Sequence, residues 1–446
     1  MKKQFWRSRS AILTMVMVFG FCLDVHSAVG AAADPAASVA PAPEPGSVWR
    51  QIAEWPALTG DWGGARTKLQ EAGITFNIDA VQSYQGVLHG GTNKSWKYGG
   101  SMDYRFKFDL HKMGLWQGAF IDIQLEHQFG EFINGDTGTL LATNTDGAFP
   151  LPDYREVTVP EFKYTQFLSE SIAVFLGKIN SLDGDDNVFA GGRGKTNFMH
   201  QNFVVNPAGL RTVPYSTLGA GAAIFFPDVL AKDPAILSFM VLGANGQPNT
   251  SGFSRDFDDG QTYVVAYRQP TRFFNQSGSH TFSGTYGTKE YTLLTQDPRL
   301  ILAGLIGYPV SPVQDESWSF MYNMHQYLYT ESQDPTQGFG IFGRFGTADA
   351  ETNPIEHFYS IGIGGKGLID GRDNDTFGVG YFYAELSDRF GRVVDRDFGD
   401  TQGLEIFYNF EITKWLHVTP DFQIIEPSAK NVDTAYAAGL RVKIDF

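Results

Sequence analysis

The 446-residue sequence carries a formal net charge of −15, a hydrophobic fraction of 42% and one cysteine, Cys22. The acidic balance excludes nucleic acid as a partner, which needs a basic face, and a lone cysteine excludes disulfide frameworks and cysteine metal sites. Beyond the N-terminus no stretch approaches the roughly 18 consecutive apolar residues of a membrane helix, although 37 Phe, 19 Tyr, 8 Trp and 50 Gly are present.

Residues 1–33 read as a secretory signal peptide. Lys2, Lys3, Arg7 and Arg9 form a basic region, Ala11 to Leu23 an apolar one, and Ala31-Ala32-Ala33 offers a cleavage site before Asp34. The apolar run is shorter than the ~20 residues that cross a bilayer. Cys22 follows Phe19-Gly20-Phe21 rather than the small residues of a lipoprotein signal. Removing this segment takes away four basic residues and Asp24, so the mature chain stands near −18 and holds no cysteine. Such a charge suits a surface among cation-bridged anionic lipids.

Residues 34–56, with Pro35, Pro41, Pro43, Pro45 and Gly46 among alanines, read as a periplasmic linker that buries too little surface to fold. A short helical segment is expected in 57–73, capped by Asp61, propagated by Ala65 to Ala72 and ended by Gly73.

From Ile74 to Phe446 about sixteen strand-like runs follow. They centre on 74–88, 99–111, 118–130, 156–168, 171–180, 213–226, 235–246, 260–272, 278–288, 316–330, 338–348, 356–368, 376–388, 401–413, 416–428 and 433–446. Many alternate with period two, as in Met102-Asp103-Tyr104-Arg105-Phe106-Lys107-Phe108-Asp109-Leu110 and Leu440-Arg441-Val442-Lys443-Ile444-Asp445-Phe446. A soluble barrel alternates too, with its apolar face inward, so alternation alone does not choose. Three further features do. The connections alternate between long and short, as extracellular loops and periplasmic turns do. An even strand count puts both ends on one side. Trp116, Trp318 and Trp415 fall at strand ends, where an interfacial aromatic belt would lie. The expected fold is therefore all-β: a transmembrane barrel of about sixteen antiparallel strands in the outer membrane, behind a short N-terminal helix. Its closing strand, ending in Phe446, is of the type the barrel-assembly machinery handles, and lipid should surround the barrel.

Two stretches resemble the carbohydrate-selective (OprB-type) porins. Leu58-Thr59-Gly60-Asp61-Trp62-Gly63-Gly64-Ala65-Arg66, with Leu69 and Gly73-Ile74, looks like their opening motif. Thr419-Pro420-Asp421-Phe422-Gln423-Ile424-Ile425, then Pro427 and Gly439 to Phe446, is similar to their closing pair of strands. Gln166-Phe167 and Gly177-Lys178-Ile179 match more loosely. The resemblance implies a sixteen-stranded pore for passive diffusion of small, glucose-like sugars with some passage of ions. A general or ion-conducting porin without sugar preference is the alternative, and an outer-membrane barrel hydrolase belongs to a different class.

Other motifs weigh little. Gly194-Lys195-Thr196 mimics the tail of a phosphate loop, but the first glycine that motif needs falls on Phe189. Asp183-Gly184-Asp185-Asp186-Asn187 begins like a calcium loop, but Val188 replaces the turn glycine and Gly194 the bidentate glutamate. Neither H-E-x-x-H nor G-x-S-x-G occurs, so neither a zinc nor a serine hydrolase has its signature. Barrel hydrolases assemble their groups from separate strands but are usually smaller, so no enzyme, metal or cofactor is expected.

In a sugar pore the working groups should be charged side chains on lumen faces. Alternation places Asp103, Arg105, Lys107, Asp109, Asp122, Glu126, Glu161, Lys163, Arg344, Glu405, Glu411, Asp421, Arg441 and Lys443 inside, and Phe106, Phe108, Ile406, Phe410 and Val442 outside. Both signs suit a neutral polar solute, whereas an anion pore would want a basic constriction. The long connection 181–212, with Asp183, Asp185, Asp186, Arg193, Lys195, Arg211 and the aromatic Phe189, Phe198, His200 and Phe203, is expected to fold inward and narrow the pore. Arg66 and Trp62 are further candidates for the constriction, with sealing of the periplasmic rim as the plainer role.

Overall fold

The computed structural model describes residues 45–149, 157–227, 233–246, 256–294, 312–389 and 397–446. The chain divides into two units after Ile52. Pro45–Ala53 is helical, inside the stretch read as an unfolded linker. Proline suits a first helical turn because its missing N–H would find no partner there anyway. Residues 1–33 and 34–44, the remainder of the signal and linker readings, lie outside the described residues.

The second unit opens with a 3-10 turn, Trp62–Gly64, that runs into a helix, Ala65–Glu71. Asp61 Oδ1 accepts hydrogen bonds from the Thr67 amide and hydroxyl, each at 2.9 Å, satisfying a free donor of the first turn. Gly73, at φ +92°, ends the helix where an added Cβ would strike the Asp109 carbonyl.

Eighteen strands are present among the described residues. The first nine are β1 (Ile74–His89), β2 (Trp96–Asp109), β3 (Ala119–Gly130), β4 (Thr158–Ser169), β5 (Ile172–Asn180), β6 (Ser216–Phe226), β7 (Ala235–Gly243), β8 (Gln261–Phe273) and β9 (Gln276–Gly287). A two-residue ladder, β10 (Tyr291–Thr292) with β11 (Val313–Gln314), stands apart. The others are β12 (Ser317–Thr330), β13 (Gly338–Ala348), β14 (Ile355–Lys366), β15 (Thr376–Leu386), β16 (Thr401–Thr413), β17 (Leu416–Glu426) and β18 (Ala435–Asp445). Sixteen of them close into one antiparallel barrel, sealed where β1 pairs with β18 from Asp79↔Asp445 to His89↔Tyr436. Closure leaves the barrel no sheet edge, so every barrel strand finds partners on both sides. The short ladder was missed by the sequence reading because two residues carry no periodicity.

Alternation sets the faces. Asp103 pairs with Asp79 and Glu126 on one face, while Phe106 pairs with Phe76 and Ile123 on the other. Ile406 and Phe410 face outward, 44% and 38% exposed, and their neighbours Glu405 and Phe407 are buried inside. What period two does not reveal is an apolar core within the lumen. Phe342 of β13, Phe358 of β14, Phe382 of β15 and Phe407 of β16 point inward and are at most 2% exposed. They pack against Phe189, Phe198 and Phe203 from the connection between β5 and β6. The wall is hollowed to receive those rings. A Cβ on Gly340 or Gly364 would come within 2.8 Å of Phe189, and one on Gly378 within 2.7 Å of Phe198.

Candidate functional site

The connection from Ser181 to Tyr215 crosses the barrel interior, as expected of its 181–212 core, and its route is set by local turn chemistry. Asn180, Asn187 and Asn206 each accept backbone N–H bonds from residues two or three ahead, at 3.1–3.2 Å. Such side-chain turns fix a loop without a helix or ladder. His200 does the same, its Nδ1 accepting from the Asn202 amide at 3.2 Å. Burial pushes the His200 imidazole down to about 3, so it stays neutral and keeps that acceptor. Gly192, Arg193 and Gly194 all adopt positive φ, which turns the chain sharply and sends Arg193 and Lys195 into the wall. The stretch that mimicked a phosphate loop is this turn, closed by the Lys195 amide donating to the Gly192 carbonyl at 2.9 Å.

A buried ion cluster holds the turn. Lys195 Nζ contacts Asp103, Glu126 at 2.8 Å and Asp146 at 3.4 Å. Arg193 reaches Glu126 at 3.2 Å, Asp183 at 3.7 Å and the Tyr215 hydroxyl at 2.9 Å. Lys195 and Arg193 belong to the loop, not to the spanning strands. Burial alone would weaken the charge on Lys195, but Asp103, Glu126 and Asp146 outweigh it and hold the ammonium well above its ordinary range. Further round the wall, Arg441 donates to the carbonyls of Gly194 at 2.6 Å and Thr196 at 2.7 Å. The Glu405 carboxylate accepts the amides of Met199 at 2.5 Å and His200 at 2.9 Å. Asp421 accepts from Gln423 at 2.8 Å, and Gln423 in turn donates to the Thr143 carbonyl.

That last bond belongs to a second inward loop, which the sequence analysis did not single out. In the connection between β3 and β4, Thr137 and Thr143 to Asp146 are buried. Asn144 donates to Gln85 at 2.8 Å and Ser83 at 3.1 Å, and Ser101 donates to Asp146 at 2.7 Å. The two loops are stitched together by Thr145 N to Met199 O, Gln201 N to Ala142 O and Ala142 N to Gln201 Oε1, at 2.8–2.9 Å. The signal available in sequence was the run of threonine and asparagine without much charge, which fits a hydrogen-bonded plug as well as a solvated loop.

The candidate residues therefore separate into two groups. Asp103, Glu126, Arg193, Lys195, Arg344, Glu405, Asp421 and Arg441 are each at most 9% exposed and spent on loop anchoring. Phe189, Phe198, His200 and Phe203, expected in the constriction, are likewise buried against the wall. Facing the remaining channel are Arg105, whose side chain is 41% exposed and lies 3.5 Å from Asp183, and Arg268, 3.4 Å from Asp186. Asp185, still partly open, pairs with Arg344 at 2.6 Å. Asp122 sits opposite Lys163, half-buried. The three carboxylates weighed as a calcium loop thus go to separate wall arginines.

Arg66 and Trp62 lie elsewhere. Arg66 donates to the Phe446 carbonyl at 2.9 Å and the Phe76 carbonyl at 3.2 Å, and stacks over the Phe76 ring beside Trp62. Phe76 is on the outward face, so the pair belongs to the rim where β1 meets β18 and not to a constriction. The Leu58 amide donates to the Asp445 carbonyl at the same seam.

The family described as carbohydrate-selective porin, OprB family, matches residues 93–446. A putative porin, QuiX, of Acinetobacter baylyi is 24% identical, the alignment covering 89% of this chain and 94% of that protein. Porin B of Pseudomonas aeruginosa is 23% identical over 95% of this chain and 97% of its own length. Among solved structures, the high-pH form of Pseudomonas putida OprB superposes with a TM-score of 0.76 at 19% identity, over 88% of this chain and 99% of that one.

Proposed function

The chain belongs to the carbohydrate-selective porin, OprB family, and we propose that within it the solutes are small, glucose-like sugars moving down their gradient. It is an outer-membrane porin, and its family and fold are those of channels rather than enzymes. In this reading it performs no catalysis, and its partners are the sugars in the lumen and the lipids around the outer face. The observation that carries the proposal is the mixed-sign surface left open beside the loops: Arg105 with Asp183 and Arg268 with Asp186. Paired charges offer donors and acceptors to hydroxyl groups while leaving little net field to repel a neutral solute. Weak, exchangeable contacts of this kind let a solute enter and leave.

Liposome swelling tests it. Proteoliposomes should swell faster in glucose than in mannitol, an open-chain polyol of similar size. Equal rates would replace the proposal with a general porin.

Topology makes a separate prediction. The connections between β1 and β2, β3 and β4, and β5 and β6 lie on one side of the barrel, and the tight turns such as Phe274-Asn275 on the other. Outer-membrane barrels put tight turns in the periplasm. A cysteine at exposed Lys94 should react with an impermeant maleimide on intact cells, and one at Phe274, 98% exposed, should not. The reverse pattern would mean the barrel is inverted.

A further inference from the structure

Below the loop anchors the inner wall changes character. Along β2 the inward side chains run from Asp103, bound to Lys195, through Arg105, beside Asp183, to Lys107 and then Asp109 at the tight turn. A solute passing the Arg105–Asp183 pair next meets Lys107. Its ammonium lies 5.1 Å above the ring of Phe120, which points inward from β3. Phe120 makes an edge contact with Phe167 of β4 at 6.1 Å, and Phe167 stacks on Phe225 of β6 at 5.9 Å. The inward residue of β5 between them is Ala173, 3% exposed, small enough for the two rings to meet over it. Among the described residues no loop covers this strip as the long connections cover Phe342 and Phe407: Phe167 is 39% exposed and the other two are half-buried.

We propose that Phe120, Phe167 and Phe225 form a sugar-stacking subsite on the lumen wall near the periplasmic mouth, with Lys107 and Asp122 at its edge to take hydroxyl groups. This rests on the sugar-porin reading above and adds a place where the ring of the sugar is held. A pyranose has an apolar face of axial C–H bonds, and an aromatic ring presents a negative face to them. Three rings across four strands give that face a continuous track. Lys107 and Asp122 supply a donor and an acceptor beside it. An apolar patch exposed to water inside the lumen costs hydration at every moment it is empty, and a passing sugar face relieves that cost. The charged pairs higher up contact hydroxyls; this strip distinguishes a ring from a chain.

The test is glucose-dependent block of ionic current through single channels in a planar bilayer, with glucose added on the side of the tight turns. Phe167→Ala should weaken the apparent glucose affinity about three- to tenfold and leave the potassium chloride conductance close to wild type. Phe167→Tyr, which keeps a flat ring, should bind as wild type does. Phe167→Leu keeps the volume without the ring and should behave like the alanine variant, so a packing defect is separable from lost stacking. Glucose affinity unchanged in both the Ala and Leu variants, while wild-type vesicles still swell preferentially in glucose, overturns the subsite and leaves the sugar-porin reading standing. Equal swelling of wild-type vesicles in glucose and mannitol removes that reading and the subsite with it.

Discussion

Deleting residues 184–200 should raise the single-channel conductance roughly threefold and abolish glucose-dependent block, because a sixteen-stranded barrel without its plug leaves an open aqueous channel. The segment removes Asp185, Asp186, Arg193 and Lys195 together with Phe189 and Phe198, which occupy the hollowed wall at Gly340, Gly364 and Gly378. The strands themselves do not depend on it, since each pairs with both neighbours through backbone bonds. Their assembly should survive, read as heat-modifiable mobility in detergent gels. The second inward loop loses its stitches at Met199 but keeps Asn144 on Ser83 and Gln85, so some narrowing persists and the increase stays well short of an empty barrel. Unchanged conductance and unchanged block would place the narrowing wholly in the loop around Asn144.

The strands were legible because lipid on one side and water on the other impose period two, and because tight turns punctuate them. Leu404-Glu405-Ile406 announces its two faces to any reader. Signs of charge on the inner wall were legible for the same reason. What each charge does was not. Arg441 and Arg105 look alike in alternating strands, yet one is buried against the Gly194 carbonyl and the other faces the channel. The difference lies in where a loop some 250 residues away in sequence lands, and no local pattern encodes that. The inner aromatic core escaped for a related reason. In β13 the run Gly338-Phe339-Gly340-Ile341-Phe342 has apolar residues on both faces, which period-two reading treats as noise. It is the mark of a strand with lipid outside and a packed loop inside. Arg66 and Trp62, placed by motif at the barrel opening, belong to the β1–β18 seam because Phe76 beneath them points outward.

Replacing Lys195 by methionine should destabilise the folded loop by about 3–5 kcal/mol, the usual cost of stranding a buried charge by removing its partner. The ammonium sits between Asp103, Glu126 and Asp146, none of which is more than 2% exposed. Methionine fills most of the volume, so the loss is electrostatic and not a cavity. Arg193 remains beside Glu126 but lies on its far oxygen and is shared with Asp183, which leaves Asp103 and Asp146 without a cation in direct contact. Two routes relieve three crowded carboxylates: they take up protons, or the loop swings out and lets water in. The second appears in bilayer recordings as frequent transitions to a higher-conductance level, and protease should cut the loop in folded barrels at concentrations that spare wild type. The decisive comparison adds Asp103→Asn and Glu126→Gln to Lys195→Met. Removing two negative charges should recover most of the lost loop stability, because neutral amides hydrogen-bonded in place strand nothing. If the single variant records as quietly as wild type, the cluster is not what holds the loop, and the aromatic rings seated in the glycine hollows carry it alone.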